Sequence, residues 1–210
     1  MFAGITIRCS GQSGHGSLLL SNTPGEKVRL LLDKIYDFRD QQIQKLNDDS
    51  NLTLGDVTSI NLTMLQGGVQ PNVIPQEFVM DMDCRIPLTT DITKWEEIVN
   101  QWCKESGEGV RVEYKSKPTH SPVTELVDSN YFWMVFRKTF AEIGLKMKTA
   151  IFPAGTDSDC LRKIGIPCLS FSPICNTPIL LHDHNEHLNM NVFLRGIEIY
   201  TKILTAIATV

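Results

Sequence analysis

Between Gly4 and Tyr114 the spacing of apolar residues switches repeatedly between two and three-to-four, and the order of those switches limits the folds open to the chain. Ile5, Ile7 and Cys9 alternate with Thr6 and Arg8, the period of a half-buried strand, and a glycine-rich turn follows over residues 11–16. Thr23-Pro24-Gly25-Glu26 reads as a helix start, with Val28, Leu31, Leu32, Ile35 and Phe38 at three- and four-residue steps behind it. Beyond the polar segment 47–56, residues 57–65 and 78–85 read as strands separated by Gly67, Gly68, Pro71 and Pro75. Phe78, Met80, Met82 and Cys84 share one face of the second. Asp91 caps another helix, its apolar face Ile92, Trp95, Ile98, Val99 and Trp102, and Gly107 and Gly109 close it before a strand at 110–114. Strand, helix, strand, strand, helix, strand is the ferredoxin-like βαββαβ order: an α+β domain over residues 1–117 with two helices on one face of an antiparallel sheet. Residues 117–122, Lys-Pro-Thr-His-Ser-Pro, read as a linker.

From residue 118 to 210 the rhythm changes. Residues 129–144 read as a helix, 146–152 as extended, 156–164 as a short helix and 168–171 as a buried strand. A final helix spans 190–208 with Phe193, Ile197, Tyr200, Leu204 and Ile207 inward. Alternating helices and strands imply an α/β layer with a parallel sheet, yet two strands do not make a covered sheet, so this module is expected to be incomplete.

Composition narrows the function classes. The chain has 210 residues, 42% of them hydrophobic, which suffices for a core. Twenty Lys and Arg against 24 Asp and Glu leave a net charge of -4, and no basic field exists to attract nucleic acid. The apolar C-terminal stretch is interrupted by Arg195, Glu198 and Lys202, which argues against a membrane span, and residues 1–8 lack a signal-peptide pattern. A cytoplasmic protein is expected. Its six cysteines form no CxxC and are expected to be reduced core thiols; Asn51-Leu-Thr and Asn61-Leu-Thr would then be unused sequons.

The densest chemistry lies in Leu-Leu-His182-Asp-His184-Asn-Glu-His187. Imidazole and carboxylate are zinc ligands, but the spacing fits no zinc pattern, and a solvated, helix-capping turn is the competing reading. His182, directly after two leucines, is the best metal candidate. Gly-Gln-Ser-Gly-His15-Gly-Ser places a histidine between glycines that let backbone approach a ligand, or forms an exposed turn. Gly155-Thr156-Asp157 opens a helix whose free amides hold an anion or are capped by Asp157. Asn72, in Pro-Asn-Val-Ile-Pro, is a turn residue or a ligand contact; Arg85 is a surface charge or a bidentate partner for a substrate carboxylate.

Taken together, Ser-Gly-His-Gly-Ser, Val-Thr-Ser-Ile-Asn-Leu-Thr, Gln-Gly-Gly-Val-Gln-Pro-Asn-Val-Ile-Pro, Gly-Thr-Asp, Phe-Ser-Pro, Thr-Pro-Ile-Leu-Leu-His-Asp-His-Asn-Glu and Phe-Leu-Arg-Gly-Ile-Glu-Ile-Tyr closely resemble a known family. They are similar to the C-terminal half of the aminoacylases, within the dinuclear-zinc aminoacylase/carboxypeptidase family. The resemblance implies that 1–117 is a lid and dimerisation domain and that 118–210 is the C-terminal portion of an α/β zinc-exopeptidase catalytic domain. It implies hydrolysis of N-acyl-L-amino acids by zinc-activated water in a homodimer. Residue by residue it makes His182 a metal ligand and His15 the lid histidine that reaches the partner's site to stabilise the oxyanion. Asn72 and Arg85 fall where the lid holds the substrate carboxylate, and Gly155, Thr156 and Asp157 where the catalytic domain closes on the amino-acid part. The family's other metal ligands and general base precede the lid, so this chain carries at most one ligand of a two-zinc centre. Alone it is expected to be inactive. The alternative is a non-catalytic dimerisation module or partial isoform that pairs with an intact aminoacylase subunit.

Overall fold

The computed structural model describes residues 1–120 and 122–209; Ser121, within the expected linker, and Val210 lie outside the described residues. The first alternating run becomes strand β1 (Phe2–Ser10), followed by a two-residue strand β2 (Gly14–His15). Helix α1 (Pro24–Asp48) begins at the expected signal. Thr23 Oγ1 accepts from the Glu26 amide at 3.3 Å, and the Glu26 carboxylate accepts from the Thr23 amide at 2.9 Å, closing a capping box. A 3-10 turn at Leu54–Asp56 leads into β3 (Ser59–Gly67), the short β4 (Val73–Ile74) and β5 (Glu77–Arg85). Helix α2 (Ile92–Glu105) starts on Asp91, whose carboxylate accepts from the Thr93 and Lys94 amides, and β6 (Val110–Ser116) completes the set.

The main strands form one antiparallel sheet in the order β3-β5-β1-β6, the ferredoxin-like arrangement. β1 and β5 pair along their full length, from Phe2 opposite Arg85 to Ser10 opposite Glu77. That register turns Ala3, Ile5, Ile7 and Cys9 to the same face as Met80, Met82 and Cys84, where Leu31 and Ile35 of α1 and Trp95, Val99 and Cys103 of α2 cover them. Phe38, Trp95 and Trp102 lock the two helices with ring centroids 5.3–6.0 Å apart. Ile98, expected in the α2 face, is exposed, and Cys103 one turn on is buried instead. All six cysteines are free. Cys9, Cys84 and Cys103 are core thiols, which burial pushes up to about 12, about 12 and about 11. Cys160 and Cys175 are exposed, against the expectation of core positions, because the runs around them lie in loops and a short helix.

Lys27 is buried within α1, a position no pattern flags. Its ammonium donates to the carbonyls of Ser10 at 2.6 Å and Glu108 at 2.5 Å, tying α1 to the end of β1 and to the turn before β6. The sheet face away from the helices carries charge instead of apolar surface. Arg8 pairs with Glu77 at 2.9 Å and Glu113 at 3.0 Å, Arg111 reaches Glu77 at 3.3 Å, and Lys115 reaches Asp81 at 2.8 Å. Lys115 and the Thr6 hydroxyl, 2.6 Å away, hold the Asp81 carboxyl below the usual range. At Glu77 partial burial pulls upward, but the Ser10 hydroxyl and Arg8 outweigh it and the net shift is downward.

The chain divides into two compact units, Met1–Ser121 with Ala150–Thr156, and Pro122–Thr149 with Asp157–Val210. A short return segment thus joins the first unit, where Ile151 lies against Gly55. The second unit contains α3 (Tyr131–Glu142), the short α4 (Ser158–Lys163) and α5 (Met190–Ala208). Asn130 caps α3 by accepting from the Trp133 amide, and Asn189 caps α5 by accepting from Asn191 and Val192. Trp133, Phe136 and Phe140 pack on Ile199 and Ile203, with Phe171 5.1 Å from Phe140 and 5.3 Å from Phe136.

Two expectations for this unit are corrected. Residues 146–152 and 168–171 form no strand: a ladder needs a partner strand, and among the described residues neither run pairs with one. The face of α5 turned inward is Gly196, Ile199 and Ile203, while Phe193, Ile197, Tyr200 and Leu204 are exposed. Gly196 decides this. A Cβ there would stand 3.1 Å from the Pro173 ring, so its small face lets α5 approach the 171–173 segment, and Tyr200 Oη donates to the Phe171 carbonyl at 2.7 Å. Among the described residues no helix is long and apolar enough to cross a membrane.

Two outcomes follow. Replacing Lys27 by Met leaves two carbonyls without their donor and is expected to lower the stability of the first unit by about 1–3 kcal/mol in urea denaturation. A change below about 0.5 kcal/mol would show that the bridge contributes little. Asp81 and Glu77 have folded-state pKa values below their unfolded ones, so their contribution is complete above about pH 5 and declines as pH falls through about 4 and below. Asp81→Asn is expected to cost about 1 kcal/mol at pH 7 and to flatten the acid limb of a midpoint-versus-pH series.

Candidate functional site

β2 and β4 continue the β1 and β5 pair beyond the sheet. Gly14 sits opposite Ile74 and His15 opposite Val73, and the Gly16 amide donates to the Asn72 carbonyl at 2.8 Å. A Cβ on Gly16 would meet that peptide at 3.2 Å, so glycine permits the close approach. Residues 57 positions apart, His15 and Asn72, are thereby brought near one another on an exposed two-stranded ribbon, His15 opposite Val73 and Gly16 against Asn72.

The His15 ring is oriented by Ser17, which the sequence reading passed over. The Ser17 amide lies 3.3 Å and its hydroxyl 2.8 Å from His15 Nδ1. An amide can only donate, so Nδ1 accepts and Nε2 carries the proton, leaving an N–H donor at the far side of the ring. The Leu18 amide donates to the His15 carbonyl at 3.0 Å, and the Gln12 amide to Asn22 at 2.9 Å, closing the loop at its neck. The signal that could have found Ser17 is the His-x-Ser spacing, which suits a hydroxyl returning to the ring two residues back. A polar cleft opens where the chain passes from β1 to β2 and from β4 to β5, lined by Ser10, Gln12, Ser13, Gln76 and Glu77.

Arg85 lies elsewhere. It ends β5, eight steps from Glu77 at the end nearest β2 and β4, a strand length of about 26 Å. Its Nε and Nη2 donate to the Asp83 carboxylate at 2.7 and 2.9 Å, and its guanidinium stacks over Phe2 at 4.6 Å. Within one chain, Arg85 and Asn72 therefore do not share a ligand. Gly155, Thr156 and Asp157 are exposed, and Asp157 makes no side-chain cap on α4; a Cβ at Gly155 would meet open space.

His182 is exposed, with a left-handed backbone (φ 61°), in a turn closed by the Asp183 amide on the Leu180 carbonyl. The dry surroundings expected from the two preceding leucines are not found: Leu181 is itself 58% exposed. His184 and His187 are exposed too, and His187 Nδ1 meets the Asn185 carbonyl at 2.7 Å. No group of three or more His, Cys, Asp or Glu among the described residues comes together to hold a metal ion. One solvated imidazole does not fit a catalytic zinc, which takes three protein ligands, still less a pair of them.

The peptidase dimerisation domain family matches residues 1–111. Aminoacylase-1 of Homo sapiens is 40% identical over 206 residues, covering 98% of this chain and 50% of that protein. Aminoacylase-1 of Dictyostelium discoideum is 38% identical over 211 residues, covering 95% and 51%. Among solved structures, aminopeptidase PepT from Bacillus cereus superposes with a TM-score of 0.63 at 16% identity over 99% of this chain and 52% of that one. A Staphylococcus aureus tripeptidase gives 0.65 at 15% over 98% and 50%. The chain spans about half the length of the curated relatives it matches, and it corresponds to their C-terminal half. With a four-stranded sheet of ferredoxin-like order under two helices and the family match across it, the chain belongs to the peptidase dimerisation domain family.

Proposed function

We propose that this chain is the lid and C-terminal portion of an N-acyl-L-amino-acid amidohydrolase, and that residues 1–117 act as its dimerisation domain. The observation that carries the reading is the two-stranded ribbon holding His15 near Asn72 with the imidazole Nε2–H turned outward. Hydrolysis of an N-acyl bond passes through a tetrahedral intermediate whose carbonyl oxygen becomes an oxyanion, and a preoriented N–H donor aimed at that oxygen lowers the barrier. Ser17 prepays the orientation. Asn72 adds an amide on the same ribbon, and Arg85 a planar cation for the carboxylate of the amino-acid product. Because Arg85 and His15 stand a strand length apart, one active site would draw them from two copies of the chain.

The proposed assembly is a homodimer. β3 is an edge strand whose outer half exposes Met64 and Leu65, and α1 exposes Tyr36 and Ile43. The proposed substrates are small N-acylated amino acids; Gly155, Thr156 and Asp157 would contact the amino-acid part. The complete enzyme would use two zinc ions to activate water, and among the described residues His182 is the ligand proposed for one of them. Free core thiols suit a reducing compartment, and we read the protein as cytoplasmic. The competing reading, a non-catalytic dimerisation module, draws on the absence of a metal-holding cluster among the described residues.

Alone, the chain is expected to show no turnover of N-acetyl-L-amino acids with zinc added. Fused behind the half of human aminoacylase-1 that it does not match, it is expected to hydrolyse them, and His15→Ala in that fusion to lower kcat about 10²–10³-fold with dimer mass unchanged. Full activity in the His15→Ala fusion would remove the oxyanion role, and an inert fusion that retains metal would favour the module. Light scattering of the unfused chain is expected to give a dimer that Leu65→Asp converts to monomer; a wild-type monomer at about 50 μM would count against edge pairing.

A further inference from the structure

We propose that Lys27 is a positioning residue for His15: by holding the carbonyl of Ser10, where β1 leaves the sheet, its ammonium sets the direction in which the β2/β4 ribbon carries the imidazole. The catalytic sense of this rests on the proposed oxyanion role of His15, whereas the geometric sense stands on the first unit alone.

The ribbon has little of its own to hold it in place. β2 and β4 contribute two residues each, and a two-stranded ribbon of that size is at best marginally stable by itself in water. Its legs are tied to each other, the Gly11 amide to the Gln76 carbonyl at 3.0 Å and the Gly16 amide to that of Asn72 at 2.8 Å, so they move together. A polar cleft of about 600 Å³, lined by Ser10, Gln12, Ser13, Gln76 and Glu77, leaves the root of the ribbon unpacked on one side. Ser17 orients the ring relative to its own loop. The direction of that loop against the sheet is set at the root.

There the amide, hydroxyl and carbonyl of Ser10 are all engaged. The amide donates to the Gly109 carbonyl at 3.1 Å, the hydroxyl to Glu77 at 3.0 Å, and the carbonyl accepts from Lys27 Nζ at 2.6 Å. The same ammonium donates to the Glu108 carbonyl at 2.5 Å, so one cation ties the exit of β1 to the turn before β6. That turn is shaped to fit. Gly107 and Gly109 have φ of 119° and 81°; a Cβ on Gly109 would stand 2.9 Å from the Ser10 oxygen, and the Lys27 stem passes 3.4 Å from where a Gly107 Cβ would be. Lys27 is placed there against local preference. It is 4% exposed and lies in the first turn of α1, where the helix dipole disfavours a cation. A buried cation at that end of a helix is costly unless hydrogen bonds offset it, and the bonds that do so here end on the root of the ribbon.

The test reads the ribbon in the full 210-residue chain and the chemistry in its fusion to the unmatched half of human aminoacylase-1. Backbone amide order parameters of Gly14, His15 and Val73 are expected at about 0.85 in the unaltered chain and below about 0.6 in Lys27→Met, with those of Ile5, Ile7, Met80 and Met82 unchanged. In the fusion, Lys27→Met is expected to lower kcat about tenfold with KM within about twofold. Once His15 is replaced by alanine it is expected to lower kcat no further, since two residues acting through one donor are not additive. Should Lys27→Met loosen β1 as well, Lys27→Gln, which leaves a donor in the seat, is measured in its place with the same expectations. Order lost across β1 in both variants assigns Lys27 to the stability of the unit and overturns the positioning role. So does ribbon order that is unchanged, or kcat losses from Lys27 and His15 that multiply. A His15→Ala fusion that keeps full activity removes the oxyanion role and the catalytic sense of Lys27 with it, while ribbon order that falls without Lys27 upholds the geometric one.

Discussion

The antiparallel pairing of β1 with β5 is the constraint on which the first unit rests. Nine residues of each strand lie opposite one another without a slip, from Phe2 with Arg85 to Ser10 with Glu77. Side chains alternate between faces, so a shift by one residue would move Ile5, Ile7, Met80 and Met82 into water and drive Arg8, Asp81 and Glu77 into the helices. The present register gives the core its apolar layer and the opposite face its ion pairs. The same two strands then extend past the sheet as β2 and β4, which is how His15 comes to lie beside Asn72.

Strand length also separates functions. His15 and Asn72 stand at one end of the sheet and Arg85 at the other, with Asp83 already occupying the guanidinium. A rigid sheet leaves no room for compromise between those positions. The proposed chemistry, which uses all of them, would gather them from two copies, and the family that matches this unit is a dimerisation domain. The donor on His15 is ready in the free chain because Ser17 sets the ring two residues away, a local device independent of assembly.

The second unit obeys the same physics with fewer partners. Its core is a cluster of aromatic rings, Trp133, Phe136, Phe140 and Phe171, between α3 and α5. A helix can form on its own backbone hydrogen bonds, whereas an extended run becomes a strand only beside another. Hence all three helices of this unit stand within a few residues of the periodic segments, while 168–171 remains unpaired. His182, read as dry from its leucine neighbours, is solvated for a related reason: burial depends on what is packed above a residue, and adjacency in sequence does not supply it.

Local chemistry was legible because it acts over a few residues. The capping box at Thr23, the Asp91 cap, the bounds of α5 and the ferredoxin-like order all follow from side chains that meet their own backbone or recur at a fixed period. The motifs around His15 and Asn72 were visible as glycine and proline punctuation. Only the tertiary structure decided which apolar face of α5 is covered, that Lys27 is buried against two distant carbonyls, that Ser17 orients His15, and that Arg85 stands a strand length from His15 and Asn72. Periodicity reports that a face is apolar, but the partner that covers it, and the distance between two residues on a sheet, are properties of contacts between segments far apart in the chain.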